Sequence, residues 1–390
     1  MLSALVHFFE DGRWGTPVEM GVEGQSLTAE DQLFILMQAG LYLSATQGLG
    51  APEARICYER AESLCHSLNR PRFLYVSLVG QWRYSLMTDK LTAAMQIAKR
   101  VYSLAQEQND CALMMGACRP LAATLYFMGD FEAAREYAMH GVQMWRSGSV
   151  QSPVEEVMSP AVICLCYEAL CEWHLAQIAS SQAKIAESMS LARELNDTHA
   201  LALALYFAGC LGCFKRNPSE VERFASDLIE LSTRQNFAFW LAIGSVLRGW
   251  PRSASGETAE GLSWIEDGIK DLRATGSMLW MQYLLALKAE TLFIADRPPE
   301  ALKAIREAEA LAERSEERWW CAELHRLRGV FLTALGADEM QIEASFRAAI
   351  RIANEQKSVS LEKRAEATYA EYRRQKASAP GGRGFRLAHW

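Results

Sequence analysis

No secretory leader opens the chain: "MLSALVHFFEDGRWG" has no basic n-region and meets acidic residues by position 10. No uncharged apolar run reaches membrane-spanning length, since even "AVICLCYEALCEWHLA" is cut by Glu168 and Glu172. Basic residues are not in excess: 40 Lys and Arg face 47 Asp and Glu, a net charge of −7, which argues against a nucleic-acid face. No Gly-x-x-x-x-Gly-Lys-Ser/Thr loop is present to cradle phosphates. The ten cysteines form no disulfide-framework pattern and are scattered through apolar helical segments, as reduced thiols are. Period-2 alternation is nearly missing as well. These absences predict a soluble, cytoplasmic, all-α protein with no membrane and no direct nucleic-acid partner.

At 390 residues the chain has room for two or three compact domains or for one repeat array, and 50% apolar residues make it ordered. A repeat decides between them. In "APEARICYERA", Ala54, Tyr58 and Ala61 place small, bulky and small residues on one helix face. Equivalent triplets begin at Ala94, Ala134, Ser181, Val221, Gly261, Ala301 and Ile342, at steps of 40, 40, 47, 40, 40, 40 and 41 residues. Fifteen residues after each first member comes a helix stop: Asn69, Asn109, Ser149, Asn196, Asn236, Gly276, Glu316 and Lys357. Asn and Gly fill five of these eight places, and they enter the left-handed conformation that closes a helix at least cost. Each unit therefore reads as two antiparallel helices, A then B. A lone pair cannot bury its apolar faces, so neighbours must stack. The fold predicted is a right-handed α-solenoid of about eight helix pairs over residues 28–376.

Three segments fall outside the register: an irregular start (1–27), a loop insertion (146–160, "RSGSVQSPVEEVMSP") and a tail expected to be disordered (377–390). Pro251 is expected to kink or shorten its A helix. Gly329 falls at a close helix–helix contact.

With that register, "GDFEAAREYA" resembles the turn and second helix of a tetratricopeptide repeat, with Gly129, Phe131 and Ala134 at the usual Gly, aromatic and Ala positions. The phrases "WLAIGSVLRGW", "GLSWIEDGIKDLRATG" and "RWWCAELHRLRG" resemble the C-terminal helical-repeat region of large bacterial signalling proteins. In those proteins an adenylate/guanylate cyclase or DNA-binding domain precedes an AAA-like ATPase module and then the repeats. The resemblance implies a non-catalytic sensing or protein-binding module whose partner is a protein or peptide, such as a cyclase, ATPase or transcription-regulator module. Nothing here matches a cyclase's paired metal-binding aspartates, so an enzymatic name would describe the relatives rather than these residues. The rival reading is a small-molecule sensor similar to the inducer-binding domains of maltose-type activators.

Several clusters look chemical. Cys321 and His325 share a helix face in "SEERWWCAELHRLRG", but no third ligand or oxyanion donor stands beside them. Cys164, Cys166, Cys171 and His174 spread over about 15 Å of helix, too far for one ion. Cys210 and Cys213 form a lone C-x-x-C, and Glu313–Arg318 reads as a solvated helix end. No catalytic, cofactor or metal site is predicted. In tetratricopeptide stacks the A helices line the concave wall, which places Arg83, Arg119, Tyr126, Trp173, Tyr206, Trp250, Tyr283 and Arg326 there as candidate partner-binding residues. Tyr, Trp and Arg are the types that dominate interface hot spots.

Overall fold

The computed structural model describes residues 27–88, 90–148 and 156–378. Among them are seventeen α-helices and no strand. In chain order they are α1 (Ala29–Thr46), α2 (Pro52–Leu68), α3 (Pro71–Met87), α4 (Leu91–Gln108), α5 (Cys111–Met128) and α6 (Phe131–Arg146). Then come α7 (Pro160–His174), α8 (Ile178–Glu194), α9 (Thr198–Phe214), α10 (Pro218–Gln235), α11 (Ala238–Ala254) and α12 (Thr258–Ala274). The last five are α13 (Met281–Ile294), α14 (Pro298–Ser315), α15 (Cys321–Ala334), α16 (Glu339–Glu355) and α17 (Val359–Ser378). Odd-numbered helices are the A helices and even-numbered ones the B helices, giving eight pairs closed by α17. The expectations placed on residues 1–26, 149–155 and 379–390 lie outside the described residues. The last helix runs to Ser378, slightly past the predicted boundary.

Local chemistry explains the boundaries. Thr28 and Asp31 form a capping box at α1, while Asp110, Asp130, Asp197, Asn217 and Asp338 cap α5, α6, α9, α10 and α16 through side-chain oxygens. All seven predicted stops within the described residues have positive φ, from 48° at Asn109 to 76° at Gly276. Every triplet residue lies buried on a B helix. B helices are amphipathic and bury one stripe, such as Leu91, Ala94, Ala98, Val101 and Ala105 of α4. A helices are apolar nearly all round, and every residue of α7 is buried. The A helices therefore form the inside wall and the B helices the outside. Only α5, among the described helices, is long and apolar enough to cross a membrane, yet 78% of it is buried in this core.

Small residues set the spacing as predicted. A Cβ on Gly329 would stand 2.7 Å from the Phe346 ring. Between α11 and α12 the approach is backbone to backbone, with a Cβ on Gly261 falling 2.4 Å from the Gly249 carbonyl oxygen. Pro251 does not shorten α11, which continues to Ala254. The proline sits in the last turn, where one missing N–H interrupts little of the ladder.

The superhelix also closes on itself. Its later B-to-A junctions and the first turns of α17 reach back to the C-terminal ends of early A helices, whose last carbonyls have no partner within their own helix. The Met278 N–H donates to the Met87 carbonyl at 2.7 Å, and the Arg318 N–H to the Phe127 carbonyl at 2.7 Å. The Ser360 hydroxyl donates to the Trp173 carbonyl at 2.5 Å, across 187 residues. Arg364 donates to the Phe214 carbonyl. Four successive A-helix ends thus accept hydrogen bonds from the next superhelical turn.

Candidate functional site

The eight inner-wall residues predicted from sequence are all buried, none more than 4% exposed. The sequence implied an accessible concave wall; the returning turn covers it, so none of the eight faces solvent in this conformation. They fall into three groups.

The first is cationic. Arg119 pairs with Glu156, and the Tyr75 hydroxyl donates to Glu156 at 2.8 Å. Arg119 also lies 5.3 Å over the Trp82 ring. Arg83 is 3% exposed, and its Nε and Nη1 donate to no partner. Burial lowers the pKa of this guanidinium.

The second group is aromatic. Tyr126, Tyr206 and Tyr283 join Phe127, Phe207, Phe214, Trp319 and Trp280 along the axis, with Tyr206 and Trp280 centroids 4.7 Å apart. Trp280 adopts φ 69°, a left-handed conformation that costs a bulky residue about 1–3 kcal/mol. Complete burial of its indole offsets that cost.

The third group is an ion network whose charges stand on α13, α15, α17 and the turn after α9. Glu323 accepts from Arg326 Nε and Nη2, both at 2.9 Å. It also accepts from Arg216 Nη2 at 3.1 Å and Arg364 Nη1 at 3.2 Å. Arg216 further pairs with Glu290, which accepts from Trp250 Nε1 at 3.0 Å. Arg364 lies 5.4 Å over Trp173. Burial alone would raise the Glu323 carboxyl, but the three arginines hold it far below the usual carboxylate range. Arg216, Glu290, Glu323 and Arg364 escaped the sequence reading. Glu290 and Glu323 did leave a trace, as charges at positions where A helices are otherwise apolar. Arg216 left none, because it occupies the left-handed residue just after α9.

The Cys321–His325 strip lines a separate cleft of about 590 Å³ at the seam between superhelical turns. Burial pushes the Cys321 thiol up to about 12, so it is no thiolate nucleophile at neutral pH. His325 is pushed down to about 4 by burial, with Arg328 and Arg351 adding to the effect. Its Nδ1 lies 3.3 Å from Glu309 Oε1. Cys164, Cys166 and Cys171 are buried free thiols, as are Cys210 and Cys213. His174 stacks on Phe131 at 3.7 Å and shares a 2.8 Å hydrogen bond through Nδ1 with the Ser358 hydroxyl. Among the described residues no three His, Cys, Asp or Glu side chains gather to hold a metal.

These histidines give a pH prediction. Burial depresses His174, His199 and His325 below the ordinary 6.5. As pH falls through 6.5 the unfolded chain takes up protons that the folded chain refuses, so folding stability drops. Melting temperature should decline steadily from pH 7 to pH 5, before most carboxylates titrate. A flat profile over that window would mean that the histidines are less secluded than their packing indicates.

No family model matches the chain. An uncharacterized protein of Rhizobium meliloti (strain 1021) is 22% identical over 359 residues, which are 90% of this chain and 34% of that protein. The chain thus spans about a third of that relative's length. A Rap protein complexed with competence and sporulation factor superposes with a TM-score of 0.60 at 13% identity, over 91% of this chain and 98% of its own. NprR in complex with its cognate peptide NprX gives 0.51 at 13% identity, over 88% and 99%. Human IFIT1, as a dimer with m7Gppp-AAAA, gives 0.53 at 11% identity, over 97% and 78%. The chain has the tetratricopeptide-like solenoid fold. Nothing in these comparisons supports the cyclase or ATPase association implied by the sequence resemblance.

Proposed function

We propose that the chain is a non-catalytic regulatory module of the cytoplasm that binds a peptide or protein segment along its inner wall. The observation that carries this reading is the polar content of that wall. Buried ion networks stabilise a fold no better than apolar packing of equal volume. Yet this wall keeps Arg119 with Glu156, and three arginines with Glu290 and Glu323. Arginine forks over tryptophan rings suit a carboxylate-bearing peptide, which would take the place of an internal glutamate once the seam parts. By name, one structural neighbour is complexed with competence and sporulation factor and another with its cognate peptide, and the fold shared with them is compatible with a peptide ligand. A signalling ATPase, cyclase or transcription-regulator module as the larger context rests on the sequence resemblance, together with a relative about three times longer.

The test is selection of peptides by display against the full chain, followed by fluorescence anisotropy. Selected peptides should saturate, and Arg364→Gln should weaken them about tenfold, the worth of one charge-assisted hydrogen bond. The exposed Arg347→Gln should bind like wild type. Failure to select any peptide, alongside a saturable thermal shift with a sugar or nucleotide, would favour the small-molecule sensor instead.

A further inference from the structure

Arg83 is a buried cation without a counterion. It stands on α3, and among the described residues its guanidinium forms no hydrogen bond and no ion pair, with Nε and Nη1 both sealed from solvent. The other arginines of the inner wall differ. Arg119 has Glu156, while Arg216, Arg326 and Arg364 share Glu290 and Glu323. A guanidinium does not lose its proton in a protein. Arg83 therefore cannot escape the cost of burial as His199 on α9 does, by staying neutral. A buried charge left alone is strongly destabilising, so its persistence on this wall calls for an anion.

The surrounding charges say which anion. Arg119 covers the ring of Trp82, the residue before Arg83, and both Arg119 and Glu156 act on the Arg83 guanidinium. The Glu156 carboxylate is already engaged, by Arg119 and by the Tyr75 hydroxyl at 2.8 Å. Asp197, beside His199, is spent on capping α9 and on the Ser159 N–H at 2.6 Å. Two guanidiniums against one carboxylate leave a single positive charge, which a monoanion cancels and a dianion would overshoot. A neutral donor stands ready as well. The Tyr58 hydroxyl lies beside Arg83 without a hydrogen bond, and burial raises its pKa, so it carries no charge to balance the guanidinium. Its ring is held by two glycines: a Cβ on Gly40 would fall 2.7 Å from it, and one on Gly80 2.2 Å. A planar guanidinium fork beside a phenol matches the two oxygens of a carboxylate better than a spherical halide.

We infer that Arg83 and the Tyr58 hydroxyl form a binding site for one carboxylate group, the counterion that the inner wall does not itself supply. The group comes either from a free small acid or from the C-terminus of a peptide. The site is separate from the network of Arg216, Arg326 and Arg364, and neither depends on the other. Because the wall is covered, the carboxylate enters as the superhelix opens, so the chain must be equilibrated with it before measurement.

The test is equilibrium dialysis of the full chain against radiolabelled acetate, with acetyl-alanyl-alanine, chloride and sulfate as competitors at constant ionic strength. Acetate should saturate with a Kd of about 1 mM or tighter, and neither chloride nor sulfate should displace it at equal concentration. Stronger competition by acetyl-alanyl-alanine than by unlabelled acetate assigns a peptide terminus, and weaker competition a free acid. Arg83→Met should weaken acetate about tenfold or more. In a buffer without carboxylates the same variant should melt no lower than wild type, since an apolar side chain replaces an uncompensated charge. An arginine kept for structure would do the reverse. Tyr58→Phe, which leaves the ring between its glycines, should weaken acetate about fivefold. No saturation, displacement by chloride or sulfate as readily as by acetate, or wild-type affinity in both variants would overturn the site. A lowered melting temperature for Arg83→Met would overturn the unpaired charge on which it rests.

Discussion

Glu323→Ala should cost about 3–5 kcal/mol of stability, the usual penalty for leaving buried charges without a partner. The carboxylate is 1% exposed and accepts four guanidinium hydrogen bonds from Arg216, Arg326 and Arg364. Its removal leaves three cations against Glu290 alone. Arg216 and Arg364, each 18% exposed, regain some water, so the lower half of that range is the better expectation. Urea denaturation of both proteins at pH 7 measures the difference. A loss below about 1 kcal/mol would show that solvent already screens the network. The pH dependence carries its own sign. Glu323 has a folded-state pKa far below the ordinary carboxylate value, so its contribution is complete above about pH 4.3 and fades as pH falls. The gap between wild type and Glu323→Gln should therefore narrow below pH 4. A double change of Glu323 and Arg326 to apolar residues should cost less than the sum of the two single changes, since the pair is coupled.

Gly261→Leu should be nearly as damaging, at about 3 kcal/mol, the upper end of ordinary overpacking. A Cβ there would meet Ser253 Oγ at 2.2 Å, the Gly249 carbonyl oxygen at 2.4 Å and the Ser253 nitrogen at 3.0 Å. Two of these are backbone atoms that no rotamer change can move, so α11 and α12 must separate. In a stacked array the damage passes to neighbours through interfaces. Here the next junction carries Met278, which holds Met87 across the seam. Loss of protection at the Met278 amide should accompany the drop in melting temperature. Ser263→Ala, on the exposed face of α12, should stay within about 0.5 kcal/mol of wild type. Equal melting temperatures for both variants would mean that the α11–α12 contact tolerates separation.

Much of the scaffold was legible because its signals are local. Ala94, Ala98 and Val101 identify a buried stripe through helical spacing alone. Asn69, Asn109, Asn196 and Asn236 terminate helices through a conformation set by their own side chains. Glu316 and Lys357 occupy the same left-handed region, and only the repeat register marked them out. The inner wall was half legible. Trp173, Trp250 and Arg326 were placed on A helices by register, yet their partners Arg364, Glu290 and Glu323 were not, because pairing depends on how far each A helix turns relative to the next. Cys321 and His325 looked like a reactive pair on one helix. What they line is a cleft whose opposite side comes from Gly129, Asp130 and Glu132.

By itself the amino-acid order determined that helices form, where each ends, and which face of each B helix turns inward, since these follow from contacts within a few residues and a 40-residue beat. Tertiary structure alone decided that the wall is covered, which charges meet on it, and that a cleft lies on the seam. Those outcomes depend on the accumulated rotation of the stack, which brings Ser277 to Met87 across 190 residues. Small angles at each helix contact add up over several repeats, and no short stretch of sequence records their sum.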